Sequence, residues 1–392
     1  MPLTGVRVLD FGRYIAGPYC ATLLADYGAD VIRVESPEGN DDRYNVPAAP
    51  DGSGGMFLQM SRNKRCLTLR PSTPQGQEIL RRLVKSVDVI IANLPDQVLE
   101  KLELDYDHVS AINPRVILAT ASSFGSTGPL SNHVGFDAVG QAMSGAVYFS
   151  GTDKQPSRSQ VNYVDFGTAL HLAFGVMAAL RHRDATGKGQ RVSASLLGTA
   201  IAYSNSLTID AAVNGTDRAP MGNRSFSSGP TDVFQTSNGS VITQVVGNAI
   251  FARWAHMVDA PELVDDPRFG TDIDRGENSA LLCAIMQNWC RDKDNETVLA
   301  TLGRARVPAA PVLKPSDVLA HPQVQAMGLA EPMSYPDLPR PAPVVRAPIL
   351  LSDSPKQVLR AAPILGEGRD DILRDLGYND TEIQALVEAD VV

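Results

Sequence analysis

Short apolar runs, separated by polar turns marked with glycine, alternate with helical patterns over the first third of the chain. "VRVLDF" (6–11) and "DVIRVE" (30–35) have the length and β-branched content of strands. Between them a helical pattern begins near Pro18 and stops at Gly28. Proline suits the first turn of a helix, where its missing N–H is not needed, and glycine suits the residue just past the end. The alternation continues through "CLTL" (66–69), a helix over about 74–87, "DVIIAN" (88–93), a short helix over about 96–102 and "RVILATASSF" (115–124). Such a pattern predicts a largely parallel sheet covered by helices. A ligand then belongs at the carboxyl ends of the strands, where Gly12, Gly17, Asn93 and residues 122–125 fall.

The most apolar segment follows Asp165. Ala169, Leu170, Leu172, Ala173, Val176, Met177, Ala179 and Leu180 recur at helical spacing. Arg181, His182 and Arg183 place cations where the helix dipole favours them, and residues 186–189 (Thr-Gly-Lys-Gly) break the helix. The stretch 170–180 is too short for a bilayer span and predicts a buried helix. On this local pattern Asp165 is an N-cap, its carboxylate accepting the first free N–H groups.

Beyond about residue 195 the character changes. An apolar helical stretch, "LLGTAIAYSNSLTIDAAV", leads into a loop rich in Gly, Pro and Ser over 214–230. "DVFQTS" and "SVITQVV", joined at Asn238-Gly239, predict a strand pair; helices follow near 249–258 and 279–291, and "VPAAPVL" (307–313) reads as extended. Residues 332–348 are proline-rich and predict a returning linker, and the tail ends in helices. The fold class expected is α/β: a Rossmann-like large domain built from both chain ends plus a smaller α+β domain. Its boundaries are 1–200 for the first part of the large domain, 201–225 for a linker and 226–325 for the small domain. Residues 326–392 are the return linker and the rest of the large domain.

Composition narrows the function. The 392 residues are 43% hydrophobic and 20% charged, ordinary values for a globular chain, and the net charge of -9 opposes broad nucleic-acid binding. Cys20, Cys66, Cys283 and Cys290 match no zinc spacing, the six histidines are scattered, and no metal site is expected. "MPLTGVRVLDFG" lacks the features of a signal peptide, so a cytoplasmic protein with no membrane partner is expected. "FGRYIAGP" is not GxGxxG. Glu35 at the end of the second strand resembles a ribose-binding acid only superficially, and a nicotinamide or flavin site is not expected.

Four segments together resemble one family: "GVRVLDFGRYIAGPYCATLLADYGADVIRVESP", "NKRCLTL", "VDFGTAL…GVMAALRHRDATGKGQRV" and "APILGEGRDDILRDLGY". In this order they resemble the class III (CaiB/BaiF-type) CoA-transferases, the formyl-CoA transferase and carnitine CoA-transferase group. The resemblance runs nearly end to end. It implies an interlocked homodimer, acyl-CoA as donor substrate, a carboxylic acid as acceptor and no permanently bound cofactor. It also implies that Asp165 is the nucleophile, forming an aspartyl–acyl anhydride and then an aspartyl-CoA thioester.

Matching the family's motifs position by position implies CoA contacts at Tyr14, Ile15 and Ala16, at Ser36, at Leu69, Arg70 and Ser72, at Asn93, Leu94 and Lys101, and at Val134, Gly135, Phe136 and Asp137. Ile15 stands where formyl-transferring members carry a catalytic glutamine, which argues against formyl or oxalate chemistry. Ser36 and Ser72 replace basic residues common in the family. Two other readings stay open. The α-methylacyl-CoA racemases share the fold and use a "GHD" motif, which here is "GFD" with Phe136 in the histidine position; His133, three residues earlier, reads as a loop residue. The third is a CoA-binding protein without turnover. Arg224, in "GNRSFSSGPTDVF", could pair with the second carboxylate of a dicarboxylic acid such as succinate, or simply anchor its loop.

Overall fold

The computed structural model describes residues 1–354 and 360–392. Six parallel strands form the main sheet: β1 (Arg7–Asp10), β2 (Asp30–Glu35), β3 (Lys64–Thr68), β4 (Val89–Ala92), β5 (Ile117–Ser122) and β6 (Arg191–Ser195). Their order is β3-β2-β1-β4-β5-β6. Successive side chains of a strand point to opposite faces, and here both faces are covered, so β4 is apolar throughout while β2 buries the charged Arg33 and Glu35 among its valines and isoleucine. Val8, Val31, Val89, Ile91 and Ile117 enter one core with the Ala16–Asp26 helix and the long Tyr163–Thr186 helix. Leu9, Ile32, Ile90 and Leu118 enter the opposite core with the Pro74–Ser86 helix. Ile372 and Leu373 from the Arg369–Asp375 helix, and Ile383 and Leu386 from the Asp380–Glu388 helix, complete that second core. The end of the chain therefore closes the layer that its beginning opens.

The strand order reverses at β1, which places a crevice beyond the carboxyl ends of β1 and β4. The turn after β1 is held by close contacts. A Cβ on Gly12 would lie 2.5 Å from Pro18 Cδ, and one on Gly17 would lie 2.9 Å from Gly12 Cα, so both positions need glycine. Buried Lys64 donates to Asp10 Oδ2 and to the Pro18 carbonyl, both at 2.8 Å. Asp10 Oδ1 in turn accepts the Gly12 N–H at 2.8 Å.

The long helix has 24 residues, more than the apolar run alone predicts, and by length and composition it could cross a membrane. Val164, Ala169, Leu172, Val176 and Ala179 are instead part of the core against the sheet. Gly187 ends it in the left-handed conformation, and Arg183 in its last turn pairs with Asp88 at 2.7 Å.

Two compact units are present: residues 1–144, 160–209 and 325–392, and residues 145–159 with 210–324. In the second, β7 (Thr231–Gln235), β8 (Ser240–Gln244) and β9 (Ala309–Pro311) form an antiparallel sheet, with Phe234, Trp254, Phe269 and Met286 in its core. Two expectations change. The helix expected over 196–213 is present as Leu196–Asn214, so the first part of the 201–225 segment assigned as linker is helix. The proline-rich return forms an antiparallel pair, β10 (Ala330–Met333) with β11 (Ala342–Val345), in which Pro332 faces Pro343. A ribbon of two edges tolerates prolines that a central strand would not.

Candidate active site

Asp165 is the third residue of the long helix, and Asn162 before it makes no side-chain cap. The cap expected of Asp165 comes from another element. Asp137, in the first turn of the Asp137–Met143 helix, accepts the N–H of Val164 at 2.8 Å and of Asp165 at 3.1 Å on its Oδ2. The Gln141 side-chain amide donates to its Oδ1. The Asp165 carboxylate is thereby left without a hydrogen bond among the described residues. It is 9% exposed, and that exposure is into a cavity of about 540 Å³. Burial, and after it the negative charge of Asp137, push the Asp165 carboxyl up to about 7.

The cavity lies beyond the carboxyl ends of β1, β4 and β5 and runs along β6. Tyr14, Ile15 and Ala16 line it from the turn after β1, Asn93 and Leu94 from the end of β4, and Val134, Gly135 and Phe136 from the loop before the Asp137 helix. Asn93 fastens the turn: its Oδ1 accepts the Arg13 N–H at 2.6 Å and its Nδ2 donates to the Arg13 carbonyl at 2.9 Å. Next to that clamp Tyr14 is held at φ 59, a left-handed conformation costly for an aromatic residue. Its ring meets the Phe136 ring edge-on, with centroids 5.5 Å apart. A buried acid, with no hydrogen bond to its carboxylate among the described residues, thus faces a pocket large enough for an extended ligand.

The model of CoA-transferase family III matches residues 3–369. The chain belongs to this family. Over 96% of each chain it is 32% identical to the succinate–glutarate CoA-transferase of Agrobacterium fabrum. It is 32% identical to the succinyl-CoA–L-malate CoA-transferase beta subunit of Chloroflexus aurantiacus, over 98% of this chain and 97% of that one. The crystal structure of a CaiB/BaiF family protein from Brucella suis has a TM-score of 0.85 to it at 32% identity, covering 96% of this chain and 99% of that one. The protein is an enzyme of the transferase class, and its family acts on CoA thioesters.

Several residues assigned to CoA by resemblance lie outside the cavity of this family III transferase. Leu69 is 1% exposed and packs in the core, which leaves only its main chain for a ligand. The Arg70 guanidinium is engaged by Asp390 at 2.8 Å and by Glu38. Ser36 lines a separate cavity of about 250 Å³ with Arg13, Tyr14 and Asp42, and its hydroxyl donates to the Gly39 carbonyl at 2.9 Å. Ser72 and Lys101 are exposed away from both cavities. Asp137 is buried, with its oxygens turned to the helix start rather than to the cavity.

One wall of the cavity escapes the sequence pattern. Thr120 and Ser193 meet at 3.2 Å between their hydroxyls, and Arg191 pairs with Asp96 at 2.9 Å. The signal was available: Arg191, Ser193 and Ser195 alternate with Val192 and Ala194, the period of a half-exposed strand. His133, expected as a loop residue, also lines the cavity. Glu35, the ribose-like acid, is not free for a ligand. Burial alone would raise its carboxyl, but Arg33 at 2.9 Å and Arg43 at 2.7 Å hold it at about 2. In the second unit the Arg224 guanidinium reaches Ser279 Oγ at 3.5 Å.

Proposed function

We propose that the protein transfers CoA between two dicarboxylic acids, with succinyl-CoA as donor and Asp165 as covalent nucleophile. The observation that carries the reading is the Asp165 carboxylate, buried, without a hydrogen-bond donor among the described residues and facing the cavity. In the first step an Asp165 oxygen attacks the thioester carbonyl carbon. The new C–O bond gives a mixed anhydride as the C–S bond breaks, and CoA leaves as thiolate. The thiolate attacks the Asp165 carbonyl carbon, releases the donor acid and leaves an aspartyl-CoA thioester. The acceptor carboxylate attacks that thioester, expelling CoA thiolate and forming a second anhydride. The thiolate then takes the acyl group, and Asp165 is regenerated. Each step exchanges one acyl bond for another, so no oxidant and no net proton is needed.

Dicarboxylic substrates are supported by the names of the relatives, which act on succinate with glutarate and on succinyl-CoA with L-malate. Phe136 cannot abstract a proton, which leaves the racemase reading without a base in its usual place. A homodimer is part of the same proposal. Leu170, Phe174 and Met177 form an exposed apolar stripe on the long helix, with Phe174 77% exposed, and a second copy would cover it. The test supplies succinyl-CoA with glutarate, malate or a monocarboxylate and follows the new CoA ester. Transfer restricted to dicarboxylates and absent in Asp165→Ala supports the proposal. Exchange of the α-proton with D₂O without transfer would replace it with the racemase reading. Arg224→Ala should raise the KM for the dicarboxylic acceptor; an unchanged KM removes that residue from recognition.

A further inference from the structure

The free N–H groups at a helix start attract any carboxylate nearby. An acid in the first turn lies beside them and can fold back onto its own N–H or that of the residue before it. Asp165 occupies that position, so its default conformation would be a self-cap: hydrogen-bonded, stabilised as the anion and turned away from substrate. The structure avoids this outcome. Asp137, 3% exposed, takes the N–H groups of Val164 and Asp165 on one oxygen while Gln141 holds the other. The two helices are packed too closely for this arrangement to drift. A Cβ added at Gly140 would lie 3.0 Å from Val164 Cγ1, and Thr168 Oγ1 ties down the Val164 carbonyl at 2.8 Å.

We propose that Asp137 is the positioning residue of the transfer reaction: by occupying the N–H groups at the start of the Tyr163–Thr186 helix, it keeps the Asp165 carboxylate free of donors and directed at the thioester. The inference rests on the reading of Asp165 as nucleophile and assigns Asp137 a role different from the CoA contact that resemblance implies.

A second consequence follows from charge. Two carboxylates share a small buried volume, and acylation removes one of the two negative charges. Both covalent intermediates, the anhydride and the aspartyl-CoA thioester, are neutral at Asp165, so forming either relieves the repulsion. Asp137 thus raises the free energy of the resting nucleophile and leaves the intermediates untouched. Among the described residues, the other charged or titratable groups near Asp165 or on the cavity wall are Tyr19 on the Ala16–Asp26 helix, Tyr163 on its own helix, Tyr203 beside Gly167, Tyr14, Arg13, His133, and the mutually paired Arg191 and Asp96. None of them weighs on the Asp165 carboxyl as Asp137 does, which joins burial in pushing it up to about 7.

The experiment compares Asp137→Asn, Asp137→Ser and Asp137→Glu in the full-length enzyme, measuring kcat and KM for the acyl-CoA from pH 5 to 9. Asn and Ser keep an oxygen that accepts the helix N–H groups but carry no charge; Glu keeps the charge. In both neutral variants the acid limb of kcat should move down by about one pH unit, the low end of the effect of an adjacent charge. KM should stay within about twofold while the plateau kcat falls, because the change acts on the bound nucleophile and not on uniform binding. Asp137→Glu should keep the limb in place. Asp137→Ala, which removes the acceptor as well, should lose about 10²-fold in kcat through misplacement of the nucleophile. Two neutral variants are used so that one poor folder does not decide the matter. An acid limb unmoved in whichever of them folds, with Asp165→Ala inactive, overturns the role of Asp137 and leaves the nucleophile standing. Turnover retained in Asp165→Ala overturns the nucleophile reading itself.

Discussion

Glu35 at the carboxyl end of β2 and Asp165 in the first turn of the long helix are both buried acids of the same α/β unit, and their surroundings differ in one respect. Glu35 has partners on both oxygens: Arg33 and Arg43 on one, Arg43 and the Asn40 N–H on the other. The Arg43 guanidinium also lies over the Phe57 ring, 3.9 Å from its centroid. Asp165 has a second carboxylate as neighbour and no donor among the described residues. Burial acts on both. Compensated by two guanidiniums, it gives a permanent anion that holds β2 to the following loop. Uncompensated, it gives an acid poised near neutrality. Whether a buried carboxylate is structural or reactive is decided by its donors rather than by its depth.

The comparison can be broken at either end. The largest expected effect is on turnover: Asp165→Ala should lower it by about 10⁴-fold or more, the scale seen when a covalent nucleophile is lost. Circular dichroism and urea unfolding should show that the variant remains folded. Next is Glu35→Ala. It leaves two buried guanidiniums short of charge and should lose about 3–5 kcal/mol of stability in urea titration, while the pH profile of turnover by the folded enzyme at neutral pH stays that of the wild type.

Asp165→Asn should act on stability in the opposite direction. The Asp165 carboxyl is raised in the folded protein from 3.8 to about 7. The native state then binds a proton more readily than the unfolded chain, so stability falls as pH rises between those two values. Removing the titration should stabilise the protein by up to about 4 kcal/mol above pH 7. The gain should shrink as pH falls and vanish below about pH 4, where both states of the wild type are protonated. Chemical unfolding at pH 8 and pH 4 checks the sign; equal effects at both would dissolve the contrast with Glu35. The smallest effect is in the wild type alone. Only ionised Asp165 attacks, so kcat should decline about tenfold per unit below roughly pH 7. A limb near pH 4 instead would mean that Asp165 has gained a donor in the substrate complex.

The first strands of the main sheet are legible because both faces are covered: β1, β2 and β4 are short, rich in valine and isoleucine and bounded by turns, and no helix period disguises them. β6 is less legible: it lies at the sheet edge, so its strand signal is a five-residue polar–apolar alternation instead of a valine- and isoleucine-rich run. The β10–β11 pair was missed because proline argues against strands in general, though not at an edge. For the site, local pattern made Asp165 a cap and only family resemblance made it a nucleophile. The residue that does the capping, Asp137, stands far earlier in the chain, and no helical or strand period links the two. Of the residues that resemblance puts on CoA, Tyr14, Ile15, Ala16, Asn93, Leu94, Val134, Gly135 and Phe136 line the cavity. Resemblance also put Arg70 on CoA, where the structure shows the guanidinium held by Glu38 and Asp390. Ion pairs formed across long sequence separations are set by tertiary packing and leave no local trace.

The most direct test of Asp165 as the reactive member of the pair is chemical capture. The enzyme is turned over with succinyl-CoA in the presence of hydroxylamine, and the tryptic peptide of residues 159–181 is weighed and fragmented, beside Asp165→Ala as control. The account predicts a hydroxamate on Asp165, formed only with the acyl-CoA and absent from the variant. Transfer proceeding at full rate with Asp165 unmodified, or a hydroxamate on another acid, would contradict it.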